Sequence, residues 1–183
     1  MIFVSAGHSE TDPGAIYRDF IEHDEAVTWR DLIVASVNGL IAPVMRVPVG
    51  TLEEKVAFIN AECAKNHSIA IEVHFNAGGT PGVTKGSETL YCPGSAAGEL
   101  LARLVQGELA AIFTPDRGVK PGYFRMDPTK PVDYFLRATH CPAIIIEPDF
   151  VTNGGFIRAH RIEACHAVAK ALVQAHQIVQ DTE

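Results

Sequence analysis

Ile2-Phe3-Val4-Ser5-Ala6-Gly7-His8, followed by Asp12-Pro13-Gly14-Ala15, is the stretch that decides how this chain folds. A short apolar run that closes on Gly-His before a turn-forming Asp-Pro-Gly is how a buried strand delivers a polar side chain to its end. His8 is therefore expected at the carboxyl end of the first strand, where ligands and chemistry collect in open α/β sheets. A lone histidine there is more simply a turn residue. Two later segments, however, end the same way: Ser68-Ile69-Ala70-Ile71-Glu72-Val73-His74 and Pro142-Ala143-Ile144-Ile145-Ile146-Glu147. In the first of these Ile69, Ile71 and Val73 take one face, and Ala70, Glu72 and His74 take the other. The second is a continuous apolar run of the kind buried on both faces.

Helical patterns lie between these strands. Residues 9–23 read as a loop, and Val27, Leu32, Val34, Val37, Leu40 and Ile41 set a helical spacing from near Asp24. Val44–Val47, between Pro43 and Pro48, suits an edge strand. Thr51 and Glu54 have capping-box spacing, opening a helix that runs toward Asn66. A strand at Ser87–Cys92 and an amphipathic helix from Ser95 to Phe113 follow. Residues 114–131, with Pro115, Pro121, Pro128 and Pro131, read as irregular structure that could line a groove. A short helix at Tyr134–Leu136 and an Ala-rich helix from Gly155 to Val179 complete the chain. Strands alternating with long helices predict an α/β fold: a single domain over residues 1–183, its mostly parallel central sheet flanked by helices on both faces.

Composition narrows the function. At 183 residues, 47% hydrophobic and 20% charged, the sequence suits one ordinary globular domain with a core of its own. The net charge is −7 and the 15 Lys and Arg residues are scattered, so nucleic acid, whose binding rests on phosphate neutralisation, is not an expected partner. No uncharged run reaches the length of a membrane span, and no membrane partner is expected. The amino terminus enters a strand without a basic, then apolar, leader, so no Sec signal is read and synthesis in the cytoplasm is expected. Cys63, Cys92, Cys141 and Cys165 form no C-x-x-C pair, which excludes a thiolate zinc knuckle; reduced, mostly buried thiols are expected.

His8, His74 and Glu147 at three strand ends are hard to explain as packing, because burying unpaired ionisable groups is costly. Two imidazoles and one carboxylate form the ligand set of a catalytic zinc that keeps a fourth position for water. The third ligand should then be a nearby Asp or Glu.

Gly7-His8 with Asp12-Pro13-Gly14-Ala15, Glu22-His23-Asp24, His74-Phe75-Asn76-Ala77, Arg117-Gly118-Val119-Lys120, and Pro142–Glu147 with Phe150 and Asn153 together resemble the zinc-dependent N-acetylmuramoyl-L-alanine amidases of the amidase-3 group. These are peptidoglycan hydrolases of bacteria and phage endolysins, and the resemblance spans nearly the whole chain in order. It implies a phosphorylase/hydrolase-like α/β fold and one Zn2+ held by His8, Glu22 and His74. Glu147 becomes the catalytic carboxylate, taking a proton from water that the metal acidifies to a pKa of ~7 and passing it to the departing amine. The bond cut would join muramic acid to L-alanine of the stem peptide. Glu25, one helical turn from Glu22, remains an alternative third ligand, and Asp24 would cap the helix. Two departures stand out: Ser9 and Glu10 replace the usual Gly-Gly after the first histidine, and Glu72 stands where a small residue is usual. Glu72 is either a partner that holds the His74 ring or a helix-packing residue. Asn76 and Asn153 could shape the site through hydrogen bonds or simply form turns.

Peptidoglycan is the expected partner and a monomer the expected state, with action on the cell wall after release by a phage holin or another export route. No separate wall-binding domain is read. His23, His67, His140, His160, His166 and His176 are expected as surface or capping groups. Tyr123, Phe124 and Arg125 lie where a glycan or peptide could bind or where aromatics pack. Two other readings stay open: a zinc carboxypeptidase or aminoacylase, with Arg125, Arg137 or Arg158 receiving a free carboxylate, and a catalytically inert wall-binding module.

Overall fold

Strands that are apolar on both faces need cover on both sides, and this requirement sets the layers. The computed structural model describes residues 1–63, 67–123 and 129–181. In chain order, β1 (Ile2–Ala6) leads through a small hairpin, β2 (Ile16–Tyr17) and β3 (Phe20–Ile21), into α1 (Glu22–Gly39). Then come β4 (Val44–Arg46), α2 (Leu52–Glu62), β5 (Ile69–Val73), β6 (Ser87–Tyr91) and α3 (Ala96–Ile112). β7 (Asp116–Pro121), α4 (Tyr134–Ala138), β8 (Ala143–Glu147) and α5 (Gly154–Asp181) complete the order.

Six strands form one sheet in the order β4-β1-β5-β8-β6-β7. β4, β1, β5 and β8 run parallel; β6 lies antiparallel to β8 and parallel to β7. The sheet is thus mostly parallel, as the alternation of strands and helices implies. Every residue of β1 and β5 is buried. Ile2, Val4, Ile69, Ile71, Val73, Ile144 and Ile146 pack under α1, α3 and α5. Phe3, Ala70, Ala143 and Ile145 pack on the opposite face under α2 and α4. β1, β5 and β8 are adjacent and parallel, so their carboxyl ends meet at one edge of the fold.

Three expectations need correction. The segment 9–23 is not wholly loop, because β2 and β3 pair within it. The helix begins at Glu22, with Ile21 as its N-cap, so Asp24 lies in the first turn and does not cap it. There its charge complements the positive helix end. Within 114–131, residues Asp116–Pro121 form β7. Prolines at its approach and its end are tolerable because β7 is an outer strand, bonded on one side only. Phe124, Arg125 and Pro128 fall outside the described residues. The four cysteines are free, and three of them are buried. Among the described residues no helix is long and apolar enough to cross a membrane.

The capping box at the start of α2 is present: Glu54 N–H donates to Thr51 Oγ1 at 3.3 Å, and Thr51 N–H donates to Glu54 Oε2 at 2.8 Å. Replacing Thr51 with Ala should lower unfolding stability by about 1 kcal/mol. Denaturant titration checks this, and an unchanged midpoint would mean that the cap contributes nothing here.

Candidate metal centre

Pairing carries on past each strand end and fixes where the polar residues go. Gly7 N–H donates to Val73 O at 2.8 Å, and His74 N–H donates to Ile146 O at 2.9 Å. His8 then takes a left-handed backbone conformation, φ 61°, and turns the chain out of the sheet. The Asp12-Pro13-Gly14 turn folds back beside it. Gly14 N–H donates to Asp12 Oδ1 at 3.3 Å, and Asp12 Oδ2 stands 3.1 Å from His8 Nδ1.

Glu22, the first residue of α1, reaches into this corner. Its Oε1 lies 3.1 Å from His8 Nε2 and 3.1 Å from His74 Nδ1. Backbone donors orient it: Phe75 N–H reaches Oε1 at 3.1 Å, and Ala15 N–H reaches Oε2 at 2.8 Å. Phe75 is itself locked edge-on against Phe20 and Trp29, with ring centroids at 5.3 and 5.5 Å. Two glycines permit the close approach. A Cβ on Gly7 would lie 2.5 Å from the His74 ring, and one on Gly14 would lie 2.5 Å from the His8 ring and 2.7 Å from Glu22 Oε2.

The ligand-capable atoms of His8, Glu22 and His74 all lie within 4.8 Å of one another. Donors about 2.0–2.1 Å from a tetrahedral ion stand about 3.3 Å apart, close to the two 3.1 Å separations to Glu22. The ring nitrogens turned away from Glu22 face carboxylates, His8 Nδ1 toward Asp12 and His74 Nε2 toward Glu72 Oε2 at 3.3 Å. That outer arrangement fixes ring orientation and tautomer in metal-binding histidines. The donor set and its spacing therefore fit a divalent metal such as zinc.

Electrostatics agree with the geometry. Burial alone would push the Glu22 carboxyl upward, but hydrogen bonds from His74 and His8 outweigh it and hold Glu22 well below the usual range. Burial alone would lower the pKa of His8 and His74, but Glu22, joined by Asp12 at His8 and by Glu72 at His74, outweighs it and both are raised. For Glu72, burial is overcome by His74 and Lys55, and its carboxyl also stays low.

Glu147 ends β8, beside the strand that carries His74. Burial, with Glu22 and Glu88 adding repulsion, pushes its carboxyl up to about 7 against the pull of His74 and Arg117. Glu88, its partner across the antiparallel pair, is held by Arg117 Nη2 at 2.8 Å and by Lys120 Nζ. The Arg117 guanidinium in turn sits 4.6 Å from the Phe150 ring centroid.

Glu25 points elsewhere, to Arg158 and Arg161, each at 3.3 Å. Asn76 joins the turn through its backbone, accepting from Val151 N–H at 2.9 Å, and its Nδ2 is buried without a hydrogen-bond partner. The Asn153 side chain ties Gly82, Thr84 and Asp149 together. Arg158 is engaged by Asp19 and Glu25, and Arg137 lies over the Tyr134 ring. His23 and His176 are buried, contrary to the surface role expected of them: His23 Nδ1 pairs with Gly7 O, and His176 Nε2 lies 2.7 Å from the Met1 amino group.

Sequence reading missed Lys55 and the pairing role of Asp12. The spacing of Asp12 four residues after His8, just before Pro-Gly, was the available signal for the latter. Lys55 follows Glu53 and Glu54 in the first turn of α2 and looks there like part of a solvated helix face.

Comparison with known proteins accords with this picture. The family model Amidase_3, N-acetylmuramoyl-L-alanine amidase, matches residues 2–175. The N-acetylmuramoyl-L-alanine amidase LytC of Bacillus subtilis (strain 168) is 28% identical over 156 residues, which cover 83% of this chain and 29% of LytC. The chain thus spans less than a third of that relative's length. Among solved structures, the N-acetylmuramoyl-L-alanine amidase AmiC2 of Nostoc punctiforme superposes with a TM-score of 0.79 at 18% identity, covering 97% of each chain. An N-acetylmuramoyl-L-alanine amidase from Clostridium difficile 630 gives 0.75 at 20% identity, covering 100% of this chain and 97% of the other. These two share the fold. Because the family match runs from the first strand into the last helix, the chain belongs to the Amidase_3 family of N-acetylmuramoyl-L-alanine amidases.

Proposed function

We propose that this chain is a catalytic domain that hydrolyses the amide between N-acetylmuramic acid and L-alanine in peptidoglycan, with one zinc ion held by His8, Glu22 and His74. The observation that carries this reading is the meeting of two imidazoles and a carboxylate within 4.8 Å, beside the strand that ends on Glu147. When bound, zinc supplies a Lewis acid for the amide carbonyl and acidifies water toward a pKa of ~7.

Glu147 acts as general base, taking a proton from the attacking water and returning it to the leaving amine. Its carboxyl, raised by burial to about 7, is matched to proton transfer near neutral pH. Glu22, His8 and His74 hold their positions through backbone N–H groups, Asp12 and Glu72. Peptidoglycan is the partner, and the cell wall is the place of action. Arg158 and Arg137 are engaged as described above, so they give no support to recognition of a free carboxylate.

Three outcomes are expected. Purified peptidoglycan treated with the zinc-loaded protein should release stem peptides that begin with L-alanine, seen by mass spectrometry, and a chelator should stop the release. Intact muropeptides in both samples would sink the amidase reading.

Glu147→Gln should lower turnover by about 10²–10⁴-fold while zinc remains bound, measured by metal analysis alongside the fragment assay. Undiminished turnover would remove Glu147 from the role of base.

The carboxylates around His8 and His74 raise their pKa values above that of a free imidazole and so favour protonated rings, whose protons zinc must displace. Zinc affinity should therefore rise with pH, by about tenfold per unit for each proton displaced, until the imidazoles are neutral. Calorimetric titration in buffers of differing ionisation enthalpy reads the protons released. An affinity unchanged between about pH 5.5 and 7.5 would exclude imidazole ligands.

A further inference from the structure

Lys55 is a buried ammonium beneath the corner where the two histidines meet. The capping box at Thr51 and Glu54 fixes the first turn of α2, and from the next position Lys55 extends toward the ends of β1 and β5. Its Nζ donates to Ala6 O at 2.7 Å, to His8 O at 3.1 Å and to Glu72 Oε1 at 2.8 Å. An ammonium has three protons, so this set uses all of them. Ser5, opposite Glu72 in the β1–β5 register, donates from Oγ to the same Oε1 at 3.0 Å. The other carboxylate oxygen of Glu72 faces His74 Nε2 at 3.3 Å.

We propose that Lys55 is a positioning residue for both imidazoles of the metal centre, acting on His74 through Glu72 and on His8 through its backbone carbonyl. This rests on the metal-site reading of His8, Glu22 and His74. On the His74 side, Lys55 and Ser5 keep Glu72 an anion aimed at Nε2. In the neutral ring that a metal requires, Nε2–H would donate to that anion, which frees the Nδ1 lone pair for the ion that it would share with Glu22. On the His8 side, the bond to His8 O secures a left-handed residue that carries a β-carbon, a conformation that only a few per cent of residues other than glycine adopt. One cation thus sets the tautomer of one ring and the backbone pose of the other. Glu72 needs this cation, because a buried carboxylate without its partner is strongly destabilising.

Zinc affinity of the full chain, measured by competition with a chromophoric chelator, tests the proposal together with the visible spectrum of the cobalt(II) form. Near-UV circular dichroism of the metal-free protein reports folding. Lys55→Met should weaken zinc binding by about 10–100-fold, the usual consequence of losing a residue that orients metal-binding histidines. The double variant Lys55→Met with Glu72→Gln removes both buried charges, so it is expected to fold even where the single variant does not. It should bind zinc at least tenfold more weakly than the parent, and more weakly than Glu72→Gln alone because the bond to His8 O is also lost; a purely stabilising Lys55 would leave the double variant equal to Glu72→Gln in affinity and cobalt spectrum, which would overturn the inference. Parent-like zinc affinity and cobalt spectrum in the folded double variant would overturn this inference alone. Failure of the parent chain to bind zinc would overturn the metal centre, and the inference with it.

Discussion

A single carboxylate oxygen, Oε1 of Glu22, faces two imidazole nitrogens at 3.1 Å each, and the surrounding fold is arranged to permit this. A buried carboxylate is costly unless every lone pair finds a donor. Here Ala15 N–H, Phe75 N–H and the two rings provide them. Meeting all four requires the start of α1 to lie against the ends of β1 and β5. The β2–β3 hairpin delivers that start, and the packing of Phe20 and Trp29 around Phe75 holds it. The same contacts serve the core and the His8–Glu22–His74 cluster, because the aromatic rings that close the core also fix the residue after His74.

Strand direction decides the rest of the site. Four parallel strands bring three polar termini to one edge, whereas β6 runs the other way beside β8. The beginning of β6, and not its end, therefore faces Glu147. That reversal seats Glu88, with Arg117 and Lys120 attached to it, on the flank away from the histidines. Glu147 stands between an imidazole cluster and an ion-pair cluster, in a setting that a wholly parallel sheet would not create.

Much of this was legible in the chain, for physical reasons particular to each element. Apolar runs that end on His8, His74 and Glu147 announce strand termini, and the alternation in β5 correctly assigns Glu72 and His74 to one face. Glu22 and Glu25 could not be separated by spacing, since both are buried and one helical turn apart; Arg158 and Arg161, distant in sequence, draw Glu25 aside. β7 was hidden because Pro115, Gly118 and Pro121 carry turn signals, which an outer strand bonded on one side can accommodate. His23 and His176 looked like surface groups because their partners, Gly7 O and the Met1 amine, are set only by the tertiary fold.

The placement of proline at the two outer strands has one more consequence. β4 is three residues long and lies between Pro43 and Pro48, and β7 follows Pro115 and ends on Pro121, with Asp116, Arg117 and Lys120 along it. A free strand edge is a template on which another chain can add itself, and brevity, proline and charge are the features that spoil it. The apolar centre of this sheet is thus bounded on both sides by strands poorly suited to extension, so the fold carries its own defence against edge-to-edge aggregation.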